Sequence, residues 1–274
     1  MYFLSVTSRV ESSAVPPFVA LAGNPLRWRV LLELARSDRL VGELTDLIAQ
    51  PQALVSYHLG RLRAGGLVSS RQSSFDGRAA FYRIHLDRCG ALLAAAGTAL
   101  HPGLATSERV ATGPFHSVTQ PRARVLFVCT GNGSRSQIAE ALLRTEAGDA
   151  VDVASAGSHP KPIHRNTIKV LAERGIDISA AQPKPLAQFE GQQFDFVITL
   201  CDRVREVCPQ FPGDALAMHW STADPSRVAG SARATLPTFR FIADELESRI
   251  RYLLPLIHQR CISTPSRETA RHDR

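Results

Sequence analysis

Residues 125–136 read Val-Leu-Phe-Val-Cys-Thr-Gly-Asn-Gly-Ser-Arg-Ser, and this stretch decides the fold of the second half of the chain. Four apolar residues run into a Gly-rich turn, and the helix-forming residues 137–143 follow. This order predicts a strand, a tight loop and a helix, in which backbone N–H groups and the helix N-terminus face one small anion. Such a positive field favours the ionised sulfur of Cys129, and the planar guanidinium of Arg135 suits two oxygens of a tetrahedral anion. The stretch therefore predicts nucleophilic attack by sulfur on a bound oxyanion.

The same loop also permits a simpler interpretation, namely a buried structural cysteine followed by an ordinary turn. Cys-x5-Arg alone arises by chance, whereas its place between a strand and a helix favours catalysis. Ser136 has two compatible interpretations: its hydroxyl donates to the Cys129 sulfur and stabilises the thiolate, and it caps the helix. The residues expected to surround the anion, three of which tolerate positive φ, are Thr130, Gly131, Asn132, Gly133 and Ser134.

Composition restricts the class of protein. The 274 residues are enough for two ordinary domains, and the net charge of +7 favours a polyanionic partner or an anionic substrate. Five cysteines without a framework spacing indicate a reducing cytoplasm. We see no apolar run of membrane-spanning length and no signal peptide, so we expect a cytoplasmic protein without a membrane partner.

Changes of pattern divide the chain into four parts. Residues 1–96 show helical periodicity and one hairpin, which predicts a mostly α-helical domain. Residues 97–122 are rich in Gly, Pro, Ser and Thr and predict a linker. Residues 123–260 alternate strands and helices, which predicts an α/β domain with a parallel four-stranded sheet. Residues 261–274 are polar and charged and predict a disordered tail.

Two cysteines follow predicted strands of the second domain. The expected strands cover residues 125–128, 151–155, 194–199 and 216–219, and a last helix covers about 238–254. Cys129 follows the first strand and Cys201 follows the third. Because ligands bind at the carboxyl ends of parallel strands, we expect the two sulfurs to meet at that edge.

Cys201 and Cys208 lie seven residues apart on a segment of helical character. A regular helix holds them too far apart for a disulfide, so a bond would require local unwinding, which suits a redox switch. As metal ligands the pair is incomplete, since only His219 offers an obvious third donor. The thiol count favours a redox role over a metal site or inert packing, and we expect no metal. Asp224 precedes Pro225 and is a candidate proton donor to a departing oxygen, although Asp-Pro is more often only a turn.

The first domain has the features of a DNA-binding domain. A helix predicted over residues 52–64 presents polar and basic side chains that suit the major groove. Arg71 and Arg78 lie on the following hairpin, placed to reach phosphates as a wing. The alternative is a helical interaction module with solvated arginines. The side chains expected on the outer face of the helix are Gln52, Ser56, Tyr57, His58, Arg61 and Arg63.

Residues 17–90 resemble the winged helix-turn-helix of the ArsR family of arsenic- and metal-responsive repressors. The resemblance rests on residues 20–22 with Arg27, on Val-Ser-Tyr-His-Leu at 55–59 and on Leu-Arg-Ala-Gly-Gly-Leu-Val at 62–68. It implies operator DNA as a partner, and the Ala/Leu-rich segment that closes the domain predicts a homodimer. One departure concerns residues 42–47, which lack the paired cysteines of arsenite-sensing members, so the usual inducer site is missing there.

Residues 124–250 resemble the thioredoxin-coupled arsenate reductases, which share their fold with the low-molecular-weight tyrosine phosphatases. The resemblance implies no tightly bound cofactor, and a thioredoxin-like or low-molecular-weight thiol reductant as co-substrate. Asn132, Glu140 and Ser155 match positions associated in that family with a potassium ion. The ordered matches lie at residues 128–132, 135–137, 155–157, 175–179, 199–201, 208–209, 219–220 and 224–225.

The resemblance implies a mechanism. Cys129 attacks the arsenic of arsenate held by the loop amides and Arg135, while Asp224 protonates the leaving oxygen. Cys201 then attacks Cys129 and expels arsenite, and Cys208 attacks Cys201 and carries the disulfide outward to the reductant.

Three hypotheses follow. The favoured one is an arsenate reductase fused to a transcriptional regulator of arsenic resistance. The second is a phosphatase on the same fold, for which Cys201 and Cys208 are unnecessary; phosphatases also usually place tyrosines after Asp-Pro, where this chain has residues 226–227, Ser-Arg. The third is a regulator that uses the second domain only as a sensor.

Overall fold

A hairpin and five helices form the N-terminal unit of the computed structural model, which describes residues 15–104 and 123–263. The helices are α1 (Pro17–Ala22), α2 (Pro25–Arg36), α3 (Val41–Ile48), α4 (Gln52–Ala64) and α5 (Leu86–Leu100), and the strands are β1 (Arg39–Leu40), β2 (Val68–Gln72) and β3 (Ala80–Ile84). Asn24 begins α2, because its side chain accepts hydrogen bonds from the N–H groups of Leu26 and Arg27, each at 3.1 Å. The strands form an antiparallel sheet in the order β1-β3-β2. This arrangement confirms the predicted winged helix-turn-helix.

A parallel sheet forms the centre of the second unit. Its strands are β4 (Ala123–Cys129), β5 (Val151–Gly157), β6 (Phe196–Thr199) and β7 (Leu216–His219), in the order β5-β4-β6-β7. The helices are α6 (Arg135–Ala147), α7 (Arg165–Ala172), α8 (Asp202–Val207) and α9 (Ala232–Ser263). Phe127, Phe196 and Phe239 are fully buried where the sheet meets the helices. The predicted four-stranded parallel sheet is therefore confirmed, and β4 ends at Cys129.

Two predicted domain boundaries differ from the structure. The linker was expected from residue 97, but α5 continues to Leu100 and a 3-10 turn covers Pro102–Leu104. A Cβ at Gly97 would lie 3.1 Å from the Leu104 carbonyl oxygen. Gly97 therefore does not end the helix; its lack of a side chain lets the 3-10 turn pack back against α5. The tail was expected from residue 261, but α9 continues to Ser263. The rest of both predicted segments, 105–122 and 264–274, lies outside the described residues.

The two units pack directly against each other. Asp38, between α2 and β1, is buried and accepts two hydrogen bonds from Arg249 of α9, at 2.9 and 3.1 Å. The Ser221 N–H donates to the same carboxylate at 2.7 Å. Nearby, the Asp38 N–H donates to the carbonyl oxygen of His219 at 2.8 Å. The end of β7 is thus bonded to the N-terminal unit through both backbone and side chains.

Within the part of the chain that the structure describes, every helix is too short or too polar to cross a membrane.

Candidate active site

Cys129 lies at the carboxyl end of β4, where its sulfur is surrounded by hydrogen-bond donors. The Asn132 N–H donates to Cys129 Sγ at 3.2 Å, and Ser136 Oγ lies 3.0 Å from the same atom. Asn132 Nδ2 donates to Ser136 Oγ at 2.9 Å, which leaves the hydroxyl hydrogen of Ser136 free to point at the sulfur. Helix α6 begins at Arg135, after Ser134, so Ser136 lies in its first turn and is not the cap residue.

The loop after Cys129 keeps its shape through one left-handed residue and two close backbone approaches. Of its three candidates for positive φ, only Asn132 adopts it, at 45°. Gly133 is needed for space, because a Cβ there would lie 2.7 Å from the carbonyl oxygen of Pro162. Gly157, at the end of β5, would likewise place a Cβ 2.8 Å from the Asn132 nitrogen. Between residues 123 and 263, the N–H groups of the loop other than that of Asn132 have no protein acceptor, so they are available to an anion.

Arg135 links the loop to the segment that follows β7. Its guanidinium is buried and donates to the Thr222 carbonyl oxygen at 3.1 Å and to Asp224 Oδ2 at 2.9 Å. Its Nε atom is also buried and has no hydrogen-bond partner among the described residues, which leaves one strong donor for a ligand. The other oxygen of Asp224 accepts hydrogen bonds from the N–H and hydroxyl of Ser226, at 3.1 and 2.7 Å. The structure therefore places the predicted proton donor beside the predicted anion ligand.

Cys201 joins this site, whereas Cys208 lies one helix away. Cys201 Sγ is 3.1 Å from Thr130 Oγ1, the residue after Cys129, and is buried. Helix α8 occupies the whole interval between Cys201 and Cys208. Cys208 is half-buried in the wall of a cavity of about 490 Å³, and burial raises the pKa of its thiol to about 11. All five cysteines are free thiols.

A second set of residues supports the loop from behind. Asn132 Nδ2 donates to Ser155 Oγ at 2.7 Å, and Ser155 donates to Glu140. The same carboxylate pairs with Lys184 Nζ at 3.0 Å and with Arg144 at 2.6 Å. Two protein cations thus already neutralise Glu140, so these residues do not fit a potassium ion. Lys184 had no signal in the sequence, because it reaches the loop from 52 residues beyond Asn132, where its own N–H donates to Asn132 Oδ1 at 2.7 Å.

Asp202, the residue after Cys201, is a second residue of the site, besides Lys184, that could not be recognised in the sequence. Its carboxylate is buried and accepts from Ser221 Oγ at 2.7 Å, with His219 Nε2 at 3.2 Å. From the N-terminal unit it accepts hydrogen bonds from Arg71 and from the N–H of Ser74, each at 2.7 Å. Burial alone would raise the pKa of Asp202, but hydrogen bonds from these partners outweigh it and hold the pKa well below the usual range.

Two of the predicted DNA-binding side chains are placed differently from the expectation. His58 was expected on the outer face of α4, but it is buried, because Val55 and Leu62 lie three and four residues away on the same, inner face. Burial, with a contribution from Arg27, lowers the pKa of His58. Arg71 was expected to be free for phosphates, yet its guanidinium is bound to Asp202 of the other unit. The exposed residues among those predicted are Gln52, Ser56, Tyr57, Arg61, Arg63 and Arg78.

Comparison with known proteins covers both units. Residues 24–79 match the MarR family, which supports the winged fold and names a different family of regulators from the ArsR family. Residues 124–262 match the low molecular weight phosphotyrosine protein phosphatase family.

Several similar curated proteins are arsenate reductases. The one from Halalkalibacterium halodurans is 37% identical over 127 residues, which cover 46% of this chain and 91% of the relative. The one from Bacillus subtilis is 33% identical over the same shares of the two chains. A solved thioredoxin-dependent arsenate reductase from Corynebacterium glutamicum is 25% identical, covering 84% of this chain and 98% of its own, with a TM-score of 0.40. Since the phosphatase family model spans half of the sequence and the reductase relatives are covered almost end to end, this chain belongs to the low molecular weight phosphotyrosine protein phosphatase family.

Proposed function

We propose that this protein reduces arsenate to arsenite with a relay of three cysteines and that its N-terminal unit binds operator DNA in the cytoplasm. The observation that carries the catalytic part is the placement of the thiols. Cys129 lies inside a loop of free N–H donors, Cys201 is bonded to that loop through Thr130, and Cys208 follows one short helix later. A hydrolase on this fold needs only the first thiol. The similarity to curated arsenate reductases supports the same choice.

The geometry suits an oxyanion substrate. Arg135 Nε and the loop amides other than that of Asn132 are donors without protein partners in the described parts of the chain, and arsenate is a tetrahedral anion with oxygens for all of them. The Ser136 hydroxyl and the Asn132 N–H stabilise the negative charge on Cys129 before attack. Asp224 is hydrogen-bonded to Arg135 of the loop and delivers a proton to the oxygen that leaves arsenic.

The relay transfers two electrons from cysteine thiols to arsenic and ends in a disulfide. Cys129 Sγ attacks arsenic and displaces a protonated oxygen. Cys201 Sγ then attacks Cys129 Sγ, so the As–S bond breaks, two electrons pass to arsenic and arsenite leaves. Cys208 attacks Cys201, which frees Cys129 as a thiolate and leaves a Cys201–Cys208 disulfide. A dithiol of the thioredoxin type reduces that disulfide and closes the cycle.

Turnover of arsenate by the purified full chain with thioredoxin, thioredoxin reductase and NADPH tests the proposal. Cys129→Ser should abolish turnover, and Cys208→Ser should allow one equivalent of arsenite and then stop. Cys89→Ser and Cys261→Ser are matched controls, since both remove half-buried thiols outside the loop and should cycle normally. Hydrolysis of para-nitrophenyl phosphate without any arsenate reduction would reject the proposal in favour of a phosphatase.

The DNA-binding part includes a homodimer. Leu93 and Leu100 of α5 are 57% and 80% exposed, so this helix has apolar side chains available for a second copy. A dimer would present two copies of α4 to successive turns of the major groove, as winged helix-turn-helix regulators require. Sedimentation analysis of the full chain beside Leu93→Glu tests the interface, which should dissociate in the variant.

A further inference from the structure

Helix α8 connects the thiol relay to the DNA-binding unit. It fills the interval between Cys201 and Cys208, and two of its side chains contact the N-terminal unit. Asp202 accepts hydrogen bonds from Arg71 and Ser74 of the hairpin. Three residues later, Arg205 pairs with a residue of the helix-turn-helix, Glu43 of α3.

A second contact of Arg205 strengthens this connection. Its guanidinium lies 5.1 Å from the ring centre of Phe81, a residue of β3 in the hairpin. The ring of Phe81 in turn lies 4.7 Å from that of His219, the last residue of β7. The hairpin is therefore docked on α8 and on the strand end beside it.

The helix cannot persist when its flanking thiols are joined. The seven residue steps from Cys201 to Cys208, taken along an α-helix, advance about 10.5 Å along its axis. A disulfide needs its two Cα atoms within about 4.4–6.8 Å of each other. The backbone between Cys201 and Cys208 must therefore leave the helical conformation, and Asp202 and Arg205 must move with it.

The hairpin contacts depend on the present position of those two side chains. Asp202 is 1% exposed and its carboxylate accepts hydrogen bonds of 2.7–2.9 Å from the hairpin, so a shift of its backbone breaks buried hydrogen bonds. Its loss leaves Arg71 without the carboxylate that now neutralises it. The charge of Arg71 then becomes available beside Arg78, whose side chain is already 98% exposed on the same hairpin.

We propose that formation of the Cys201–Cys208 disulfide releases the hairpin from the catalytic unit, so that DNA binding by this protein responds to the redox state of the relay. This inference rests on the relay of the proposed function. In the reduced form α4 is already exposed to DNA but Arg71 is bound to Asp202. In the oxidised form Arg71 adds a phosphate contact. Oxidation should therefore raise DNA affinity by about tenfold at 0.1 M salt and steepen the salt dependence by about one phosphate contact.

The first experiment needs neither arsenate nor DNA. The full chain with Cys129→Ser is oxidised by diamide, which takes two electrons and two protons from Cys201 and Cys208, and peptide mapping verifies the disulfide. Hydrogen exchange at the Ser74 amide, which donates to Asp202, should accelerate at least about tenfold, while amides of α2 and α4 keep their protection. Adding Cys208→Ser removes the disulfide and should abolish the change.

Three results would overturn the inference: a mapped disulfide with unchanged exchange at Ser74, acceleration throughout the N-terminal unit, or failure of the disulfide to form. None of these depends on arsenate turnover, which the assay of the proposed function decides separately.

A second experiment measures binding to a labelled random-sequence duplex of about 30 base pairs, reduced and oxidised. Arg71→Ala should abolish the redox dependence. Arg78→Ala, on the same hairpin, should weaken both forms equally and keep it. If the redox effect on DNA binding persists in Arg71→Ala, another contact carries the coupling, and the inference that Arg71 carries it is overturned.

Discussion

Removal of the Asp38 carboxylate should destabilise the whole chain, because it is the acceptor at the centre of the contact between the two units. The side chain of Asp38 is 3% exposed, and that of its partner Arg249 is 16% exposed. Burial alone would lower the pKa of Arg249, but the adjacent Asp38 carboxylate raises it above its ordinary value. The guanidinium thus remains charged, and Asp38→Ala would leave a buried cation without its main partner.

The size of the effect follows from what remains around Arg249. Breaking a buried ion pair by removing one member costs about 3–5 kcal/mol. Glu245 lies 3.7 Å from Arg249 Nε and takes over part of the interaction, so we expect a loss of about 3 kcal/mol. With a urea m-value of about 2–3 kcal/mol per molar, the unfolding midpoint should fall by about 1–1.5 M.

Urea unfolding followed by circular dichroism measures this shift. Asp76→Ala is the matched control, since Asp76 faces Arg78 at 3.9 Å with both side chains largely exposed, and it should change stability by less than about 0.5 kcal/mol. Asp38→Asn keeps an acceptor for the Ser221 N–H, so its urea midpoint should lie between those of Asp38→Ala and Asp76→Ala. If Asp38→Ala unfolds at the same urea concentration as the parent, the contact between the units contributes nothing and the reasoning fails.

Three further predictions concern the relay and the DNA. Ser136→Ala removes a charge-assisted hydrogen bond worth about 1.5–3 kcal/mol from the Cys129 sulfur, so the first step in rapid-quench experiments should slow about 10- to 100-fold; an unchanged rate would exclude Ser136 from stabilising the thiolate. The raised pKa of Cys208, about 11, means that its reactive thiolate increases about tenfold per pH unit below that value, so formation of the Cys201–Cys208 disulfide after one turnover should accelerate between pH 7 and 9, and a flat profile would contradict this. Arg61→Ala should weaken binding to duplex DNA and reduce the salt slope by about one contact, whereas an unchanged slope would remove Arg61 from the DNA interface.

Local patterns predicted most of the architecture, because each pattern has a local physical cause. The bounds of α4 and β7 match the predicted ranges, residues 52–64 and 216–219. The strand, loop and helix around Cys129 follow from an apolar run, a turn that needs small residues and a helix-forming segment. Such features need only a few neighbouring residues to determine them.

Features that depend on contacts between distant segments could not be predicted. Lys184 and Asp202 are ordinary charged residues in the sequence, and only the fold brings them to Glu140 and to the hairpin. Helix α9 continues past Pro255, where a pattern would end it, because Ile257 is buried against the sheet unit and holds the last turns in place. The wrong prediction for His58 has a different cause. Its helical spacing from Val55 indicates the inner face, so its burial could have been predicted from the sequence.

The contact of α8 with the hairpin predicts that bound DNA changes the stability of the Cys201–Cys208 disulfide, and thermodynamic linkage gives the direction of that change. If the disulfide between Cys201 and Cys208 frees Arg71 for DNA, then DNA binds the oxidised protein more tightly than the reduced one. The coupling is reciprocal, so bound DNA must stabilise that disulfide by the same factor. A tenfold preference of DNA for the oxidised form corresponds to a reduction potential lowered by about 30 mV in the complex. Protein bound to DNA should therefore be reduced less completely than free protein at the same thioredoxin potential, which makes the fused regulator a reporter of how much arsenate its own active site has consumed.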